Sequence, residues 1–239
     1  MKALPGVVAE ISYNSRTGCS GRKNFVMDSQ SHWDHVYRTR RADQVSWYRP
    51  HLEISLQLIG EAAPGGKGRV IDVGGGESTL VDDLVAMGYR QVDVLDLSAT
   101  ALQVAGQRLG AAAARVQWHC GDVTRYPFEP ACFDVWHDRA VFHFLTRPED
   151  RAAYVRQVAR SVKPGGHVIV AAFGPRGPTR CSGLDVVRYS ADALHAEFGV
   201  EFKLLKHVDE AHRTPAGVEQ QFVYCLCNVS QPSSASPSR

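Results

Sequence analysis

No apolar run in this sequence approaches the ~18 residues that cross a bilayer, and no cysteines stand at Cys-x-x-Cys spacing. No histidine cluster accompanies them at zinc-ligand spacing either. Charge of one sign is also scarce: 27 Lys and Arg against 25 Asp and Glu leave a net +2, where a dedicated nucleic-acid surface carries a strong basic bias. These absences predict no membrane span, no metal site and no nucleic-acid partner. An internal repeat is missing too, which excludes solenoids and propellers. The six cysteines, Cys19, Cys120, Cys132, Cys181, Cys225 and Cys227, read as reduced thiols of a cytoplasmic protein. Cys225 and Cys227 stand two apart, so they share one face of a strand and belong to its core.

What is present is enough apolar material for a large core: 44% of 239 residues. That length fits one domain with extensions. Residues 1–30 are expected to be a disordered or partly ordered extension. Within residues 1–26, Lys2, Arg16, Arg22 and Lys23 face a lone acid, Glu10, without the compact apolar segment of a secretory signal. Organelle targeting is the alternative there, and Met27 is an alternative start. The Ser/Pro-rich end, residues 229–239, is expected to be a disordered tail. The domain proper is placed at residues 31–228, with a helical cap at 31–62 broken near Pro50.

Past the cap, strands and helices alternate: "GRVIDVG", "QVDVLDLS", "RVQWHC", "CFDVWHD" and "HVIVAAF" as strands, "ESTLVDDLVAMG", "ATALQVAGQRLG" and "PEDRAAYVRQVARSVKPGG" as helices. Ser190 caps a short helix, and two strands follow in succession, "VEFKLLKHVDE" and "EQQFVYCLCNV". Alternation closed by consecutive strands predicts an α/β doubly wound, mostly parallel sheet with an antiparallel edge.

"VIDVGGGESTLV" concentrates the chemistry. Gly74, Gly75 and Gly76 lie where a buried strand passes into a helix, the crevice where open α/β sheets bind ligands. Bare backbone lets a ligand approach closely. A dinucleotide fingerprint would need glycine at 79, which is Thr79. Asp96 ends the second strand, 22 residues after Gly74, where an acid binds ribose hydroxyls. Asp122 follows the third strand. Acids at three successive strand ends, Asp72, Asp96 and Asp122, point to adenosine without a pyrophosphate.

On these residues the chain resembles the class I S-adenosylmethionine-dependent methyltransferases over about residues 31–227. The resemblance implies S-adenosyl-L-methionine as cofactor and a seven-stranded sheet of order 3-2-1-4-5-7-6. It implies that Asp72, Gly74 and Gly76 hold the methionine end, that Asp96 holds the ribose with Leu97 packing on the adenine, and that Asp122 with Val123 meets the adenine edge. Ser78 stands where a third glycine is frequent. The segment "HWDHVY" matches the W-D-x-x-Y cap of methyltransferase-like proteins, implying that Trp33, Tyr37 and Trp47 close over the cofactor. Aromatic faces attract a sulfonium by roughly 0.5–2 kcal/mol.

Methyl transfer is an in-line displacement governed mainly by positioning. The (D/N)-P-P-Y signature of nucleic-acid and some protein methyltransferases is absent after the fourth strand. His137, Asp138, Arg139 and His143 crowd that strand end instead and are the candidate catalytic group. Asp138 and Arg139 match an acid–base pair of lysine-modifying relatives, in which the position of His143 tends to carry an acid. His143 is expected to act as a base near neutral pH. The loop "FGPRGPTRCSGLDVVRYS" is expected to be a substrate lid, with Arg180, Cys181 and Arg188 as substrate-binding residues and Ser182 and Asp185 beside them. The expected activity is methylation of a small molecule, with a small thiol favoured because a thiolate forms readily near neutral pH, by a monomer or weak homodimer. The rivals are a protein lysine N-methyltransferase, a non-catalytic adenosylmethionine binder and a nicotinamide oxidoreductase.

Overall fold

The computed structural model describes residues 23–230, with side chains from residue 29 onward. Cys19, most of the basic N-terminal segment and residues 231–239 lie outside that range. Seven strands form one sheet: β1 (Arg69–Val73), β2 (Gln91–Asp96), β3 (Val116–Cys120), β4 (Phe133–Arg139), β5 (Val162–Phe173), then β8 (Phe202–Arg213) and β9 (Glu219–Val229). Between them, β6 (Arg180–Cys181) and β7 (Leu184–Asp185) make a separate small hairpin. The spatial order is β3-β2-β1-β4-β5-β9-β8, which is 3-2-1-4-5-7-6 when only the main strands are counted. The first five are parallel, and β9 runs antiparallel between β5 and β8.

Six helices cover the sheet: α1 (Lys23–Thr39), α2 (Glu53–Ala62), α3 (Leu80–Ala86), α4 (Ala99–Leu109), α5 (Pro148–Ser161) and α6 (Ala191–Ala196). Alternate residues of each strand face opposite layers. Val70, Val92, Val94, Val135 and Ile169 pack with Leu58, Leu80, Leu84 and Leu102 of α2, α3 and α4. On the other side Ile71, Trp136 and Val168 pack with Tyr154 and Val158 of α5 and Leu194 of α6. Each such side chain contributes roughly 1.5–3 kcal/mol on full burial. Trp136 Nε1–H donates to Tyr154 Oη at 2.9 Å, and Tyr154 O–H donates to Asp138 Oδ2 at 2.6 Å. That chain ties α5 to the carboxyl end of β4.

Local signals set most boundaries. Ser98 and Ser190 cap α4 and α6, their hydroxyl oxygens accepting from Ala101 N and Ala193 N. Three boundaries differ from expectation. α1 begins at Lys23, before the cap boundary of 31. α3 begins at Leu80, later than the expected start at Glu77, with Thr79 at its N-cap donating from Oγ1 to Pro50 O at 2.8 Å. α5 stops at Ser161, not at the glycine pair: Lys163 precedes Pro164 and is driven from the α region, so Val162 turns extended and pairs with Phe133. Among the described residues no helix is long and apolar enough to cross a membrane.

Candidate functional site

β1 and β4 lie side by side with Asp72 opposite His137. His137 Nδ1–H donates to Asp72 Oδ1 at 2.8 Å, and Nε2 accepts from Ser55 Oγ at 2.9 Å. All three residues are buried, so α2 fixes the imidazole and the imidazole fixes the acid. His137, one of the expected catalytic residues, is thereby engaged on both ring nitrogens.

The glycine turn folds back on β2: Gly74 N and Gly75 N both donate to Leu95 O, at 2.7 and 3.2 Å. Gly74 and Gly76 hold φ of +69° and +49°, the left-handed region that favours glycine. A Cβ on Gly74 would strike Val141, and one on Gly76 would strike the Tyr37 hydroxyl. A Cβ on Gly75 would stand 2.6 Å from Val94 Cγ1 and 2.8 Å from Asp72 Oδ2. The sequence reading credits the bare backbone to a ligand alone; packing by the protein also requires each of the three glycines.

Asp96 ends β2 beside this turn. Its carboxylate accepts from Ser98 N at 2.8 Å and from the backbone of Gly76. Burial pushes its pKa up to about 7, with Asp72 and Asp34 adding to the effect. Asp34 follows Trp33 on α1 and accepts from Ser98 Oγ at 2.5 Å. Three carboxylates thus converge where their charge is poorly solvated, a setting that suits a cation and hydroxyl donors. Asp122 is turned inward on its own loop, accepting from Thr124 N and Oγ1 at 2.9 and 2.8 Å and pairing with Arg125 at 3.1 Å. Val123 packs in the core with Phe128, and Leu97 is half-buried.

The cap brings its aromatics together. Trp33, Tyr37 and Trp47 have ring centroids 5.9–6.4 Å apart, and Trp33 also meets Phe144 at 5.1 Å. Tyr37, Val45, Trp47, Tyr48 and Arg49 cover the crevice floored by Asp72, Gly74, Gly75, His137 and Arg139, leaving about 50 Å³ beneath. Ligand pockets run to ~300 Å³ and more, and this crevice is smaller. Burial first, and then Asp96, push the Tyr37 hydroxyl well above its usual pKa.

At the end of β4 the structure corrects two expectations. Asp138 and Arg139 do not pair, because successive residues of a strand face opposite sides. Asp138 faces α5, accepts from Val141 N, Phe142 N and Tyr154 Oη, and is raised to about 6 by burial. It holds the turn in which Ala140 takes φ +74°. Arg139 faces the cap side. It donates to Tyr224 Oη at 2.8 Å, Trp47 O at 3.2 Å and Glu210 Oε2 at 3.4 Å, and stacks 4.2 Å over Phe222. Glu210 also meets Arg49 at 3.5 Å. The second correction concerns His143. It is fully buried and stacked on Phe173 at 4.4 Å. Burial and then Arg139 push it down to about 3, so it is not the neutral-pH base expected of it.

The loop after β5 is the β6–β7 hairpin. Arg180 is exposed, donates to Gly183 O at 2.7 Å and pairs with Asp185 at 3.0 Å. Arg188 donates to Pro175 O at 2.9 Å and Gly177 O at 3.4 Å. Both arginines therefore brace the loop itself. Cys181 is buried next to Ser46 and Ser182, and burial raises its thiol to about 11. Ser55, Arg49, Glu210, His212 and Tyr224 were missed by the sequence reading. Glu210 and His212 left one signal: with Val208 they occupy the inward phase of β8's alternation, where core residues belong.

Residues 70–166 match the family model described as a methyltransferase domain. The eEF1A lysine and N-terminal methyltransferase of Danio rerio is 27% identical over 144 residues, covering 59% of this chain and 21% of that protein. The ubiquinone biosynthesis O-methyltransferase of Ralstonia nicotianae is 35% identical over 130 residues, covering 53% of each. The chain thus spans about one fifth of the first relative and half of the second. A structure solved in work on the conversion of a disulfide bond into a thioacetal group during echinomycin biosynthesis aligns with TM-score 0.70 at 20% identity, covering 86% of this chain and 95% of that one. The family match, over less than half of the chain, and the relatives support an S-adenosylmethionine-dependent methyltransferase.

Proposed function

We propose that this protein methylates a small-molecule nucleophile, and that the acceptor is a small thiol. The observation that supports this reading is the roofed crevice at the ends of β1 and β4. Its floor suits the cofactor: Asp72 and the glycine turn would hold the methionine end, and Asp96 the ribose hydroxyls. Tyr37 and Trp47 would close over the sulfonium from the cap, with Trp33 behind them. S-adenosylmethionine supplies a methyl group on sulfonium sulfur; a thiolate forms the new C–S bond as the old one breaks, and the thiol proton goes to solvent beforehand.

The protein's share is to orient and to exclude water. The residues expected at the end of β4 do not supply a free base to the crevice. His143 is held neutral at about 3, His137 is engaged by Asp72 and Ser55, and Asp138 faces the other side of the sheet. An aliphatic alcohol or an ammonium acceptor would need its proton removed there, whereas a thiol of pKa ~8.5 supplies thiolate unaided. The covered crevice, reached beneath α1 and the residue 45–49 strap, fits a compact acceptor better than a side chain of a folded partner. The neighbour named for disulfide-to-thioacetal conversion also acts at sulfur.

Protein lysine methylation is the second reading, carried by the W-D-x-x-Y cap and the eEF1A-directed relatives. A screen of thiols, amines, carboxylates and peptides, read by release of S-adenosylhomocysteine, tests the first. Cell extract incubated with radiolabelled cofactor tests the second: label in a discrete protein band, with no thiol turned over, would replace the small-molecule reading.

A further inference from the structure

Three polar side chains outside the cofactor end of the crevice stand around one aromatic pair. Phe173 of β5 and Phe222 of β9 contact each other at 4.7 Å. His143 stacks on Phe173 at 4.4 Å, His212 meets Phe222 edge-on at 5.8 Å, and Arg139 lies 4.2 Å over Phe222. Both histidines are fully buried.

Their partners fix their tautomers. Phe173 N–H donates to His143 Nδ1 at 3.3 Å, so the proton of this neutral ring is on Nε2. Among the described residues that Nε2–H has no hydrogen-bond partner. His212 Nε2 lies 2.7 Å from Ser46 O. A carbonyl can only accept, so the proton is on Nε2 and Nδ1 keeps its lone pair, again without a partner. A buried donor and a buried acceptor are thus both left unmet. Each such group costs free energy unless something fills it. Arg139 supplies positive charge between them, and its bonds to Trp47 O and Glu210 are long, at 3.2 and 3.4 Å.

We infer that these groups recognise the methyl acceptor: His143 Nε2–H donates to an anionic atom of it, within the field of Arg139, and His212 Nδ1 accepts from a hydrogen-bond donor on the same molecule. The acceptor class is then a compact thiolate carrying an amino or hydroxyl donor. His143 serves as a fixed donor that reads the acceptor. This inference rests on the methyl-transfer reading and adds the acceptor's recognition pattern to it.

The test compares 2-aminobenzenethiol with benzenethiol, which lacks the donor, in steady-state turnover, with S-adenosylhomocysteine affinity measured by calorimetry. The wild type should prefer the amino thiol in kcat/KM by about tenfold, the scale of one hydrogen bond to a buried group. His212→Phe should erase that preference. His143→Phe should lower kcat/KM for both thiols by about tenfold to a hundredfold, and His143→Gln, whose amide N–H replaces Nε2–H without being a base, should recover most of the loss. S-adenosylhomocysteine affinity should stay within about twofold throughout, since the groups lie apart from the acids of the cofactor end. A wild type that treats the two thiols alike, or that methylates neither, overturns the inference even if a variant misfolds. So do His143→Gln and His143→Phe enzymes that fold and lose activity equally. If the wild type binds S-adenosylhomocysteine but turns over neither thiol, the methyl-transfer reading survives and the inference does not. If it binds no S-adenosylhomocysteine, the reading itself falls.

Discussion

The two ends of the crevice are built differently. The end proposed for the cofactor is assembled from residues at the ends of three neighbouring strands, β1, β2 and β3, and the turns just after them. The end proposed for the acceptor is assembled from β4, β5, β8, β9, the residue 45–49 strap and the β6–β7 hairpin, elements up to about 180 residues apart in the chain. The first end carries acids, two of them, Asp96 and Asp122, held by backbone N–H groups and Asp72 by His137; the second carries Arg139, Glu210 and Tyr224 held by one another, and histidines held by backbone groups. A site made of successive strand ends can be described by a motif. A site made of distant strand faces has no motif, because each contributes one or two residues at the period of its own pleat.

The comparison can be broken by substitutions that should affect one end only. The largest effect is expected at Gly74→Ala. Its φ of +69° and the collision with Val141 combine a left-handed backbone with overpacking, for a loss of roughly 2–4 kcal/mol. Urea unfolding measures it, and S-adenosylhomocysteine binding should fall with it. At the acceptor end, Arg139→Met strands Glu210 without one of its buried partners and should cost about 3 kcal/mol. Arg139→Met with Glu210→Met together should cost less than the single change, while cofactor affinity is retained. A double variant that is worse than the single one would show that the pair is not the unit.

Asp96 sharpens the contrast through pH. Its folded pKa of about 7 lies above the ordinary 3.8, so the unfolded chain releases this proton first. The resulting penalty is absent below pH 4, grows as pH rises toward 7, and is constant above. Without ligand, Asp96→Asn should therefore melt higher than the wild type at pH 8 and equal to it near pH 4. At pH 7 Asp96→Ala should weaken S-adenosylhomocysteine binding by roughly 1–3 kcal/mol. An acid that is stabilising at pH 8 in the unliganded protein would mean that its carboxylate is well paired there. The smallest effect is expected at Arg180→Ala, since an exposed ion pair with Asp185 is worth under ~1 kcal/mol. A large loss of turnover there would return Arg180 to the substrate.

Much of the fold was legible. Period-two runs, Ser190 as a cap and the paired final strands pointed to the sheet and its antiparallel edge. The end of α5 was misjudged because the Pro164–Gly165–Gly166 cluster reads as a helix terminator, when the restriction acts one residue earlier, on Lys163, and lets β5 begin at Val162. The acids Asp72 and Asp96 were legible because they end strands next to a glycine turn. Asp138 and Arg139 were expected to act as a pair on resemblance, whereas the pleat of β4 sends them to opposite faces. His143 was misread because the sequence does not show that Phe173 and Phe144 enclose it.

The amino-acid sequence by itself determined the order of strands and helices, the glycine bend and the acids around it, since these depend on neighbours within a few residues. Tertiary structure alone decided which side chains are charged, which ring nitrogen holds a proton and which polar atoms lack a partner. Those properties come from burial and from strands that meet only after the chain has folded.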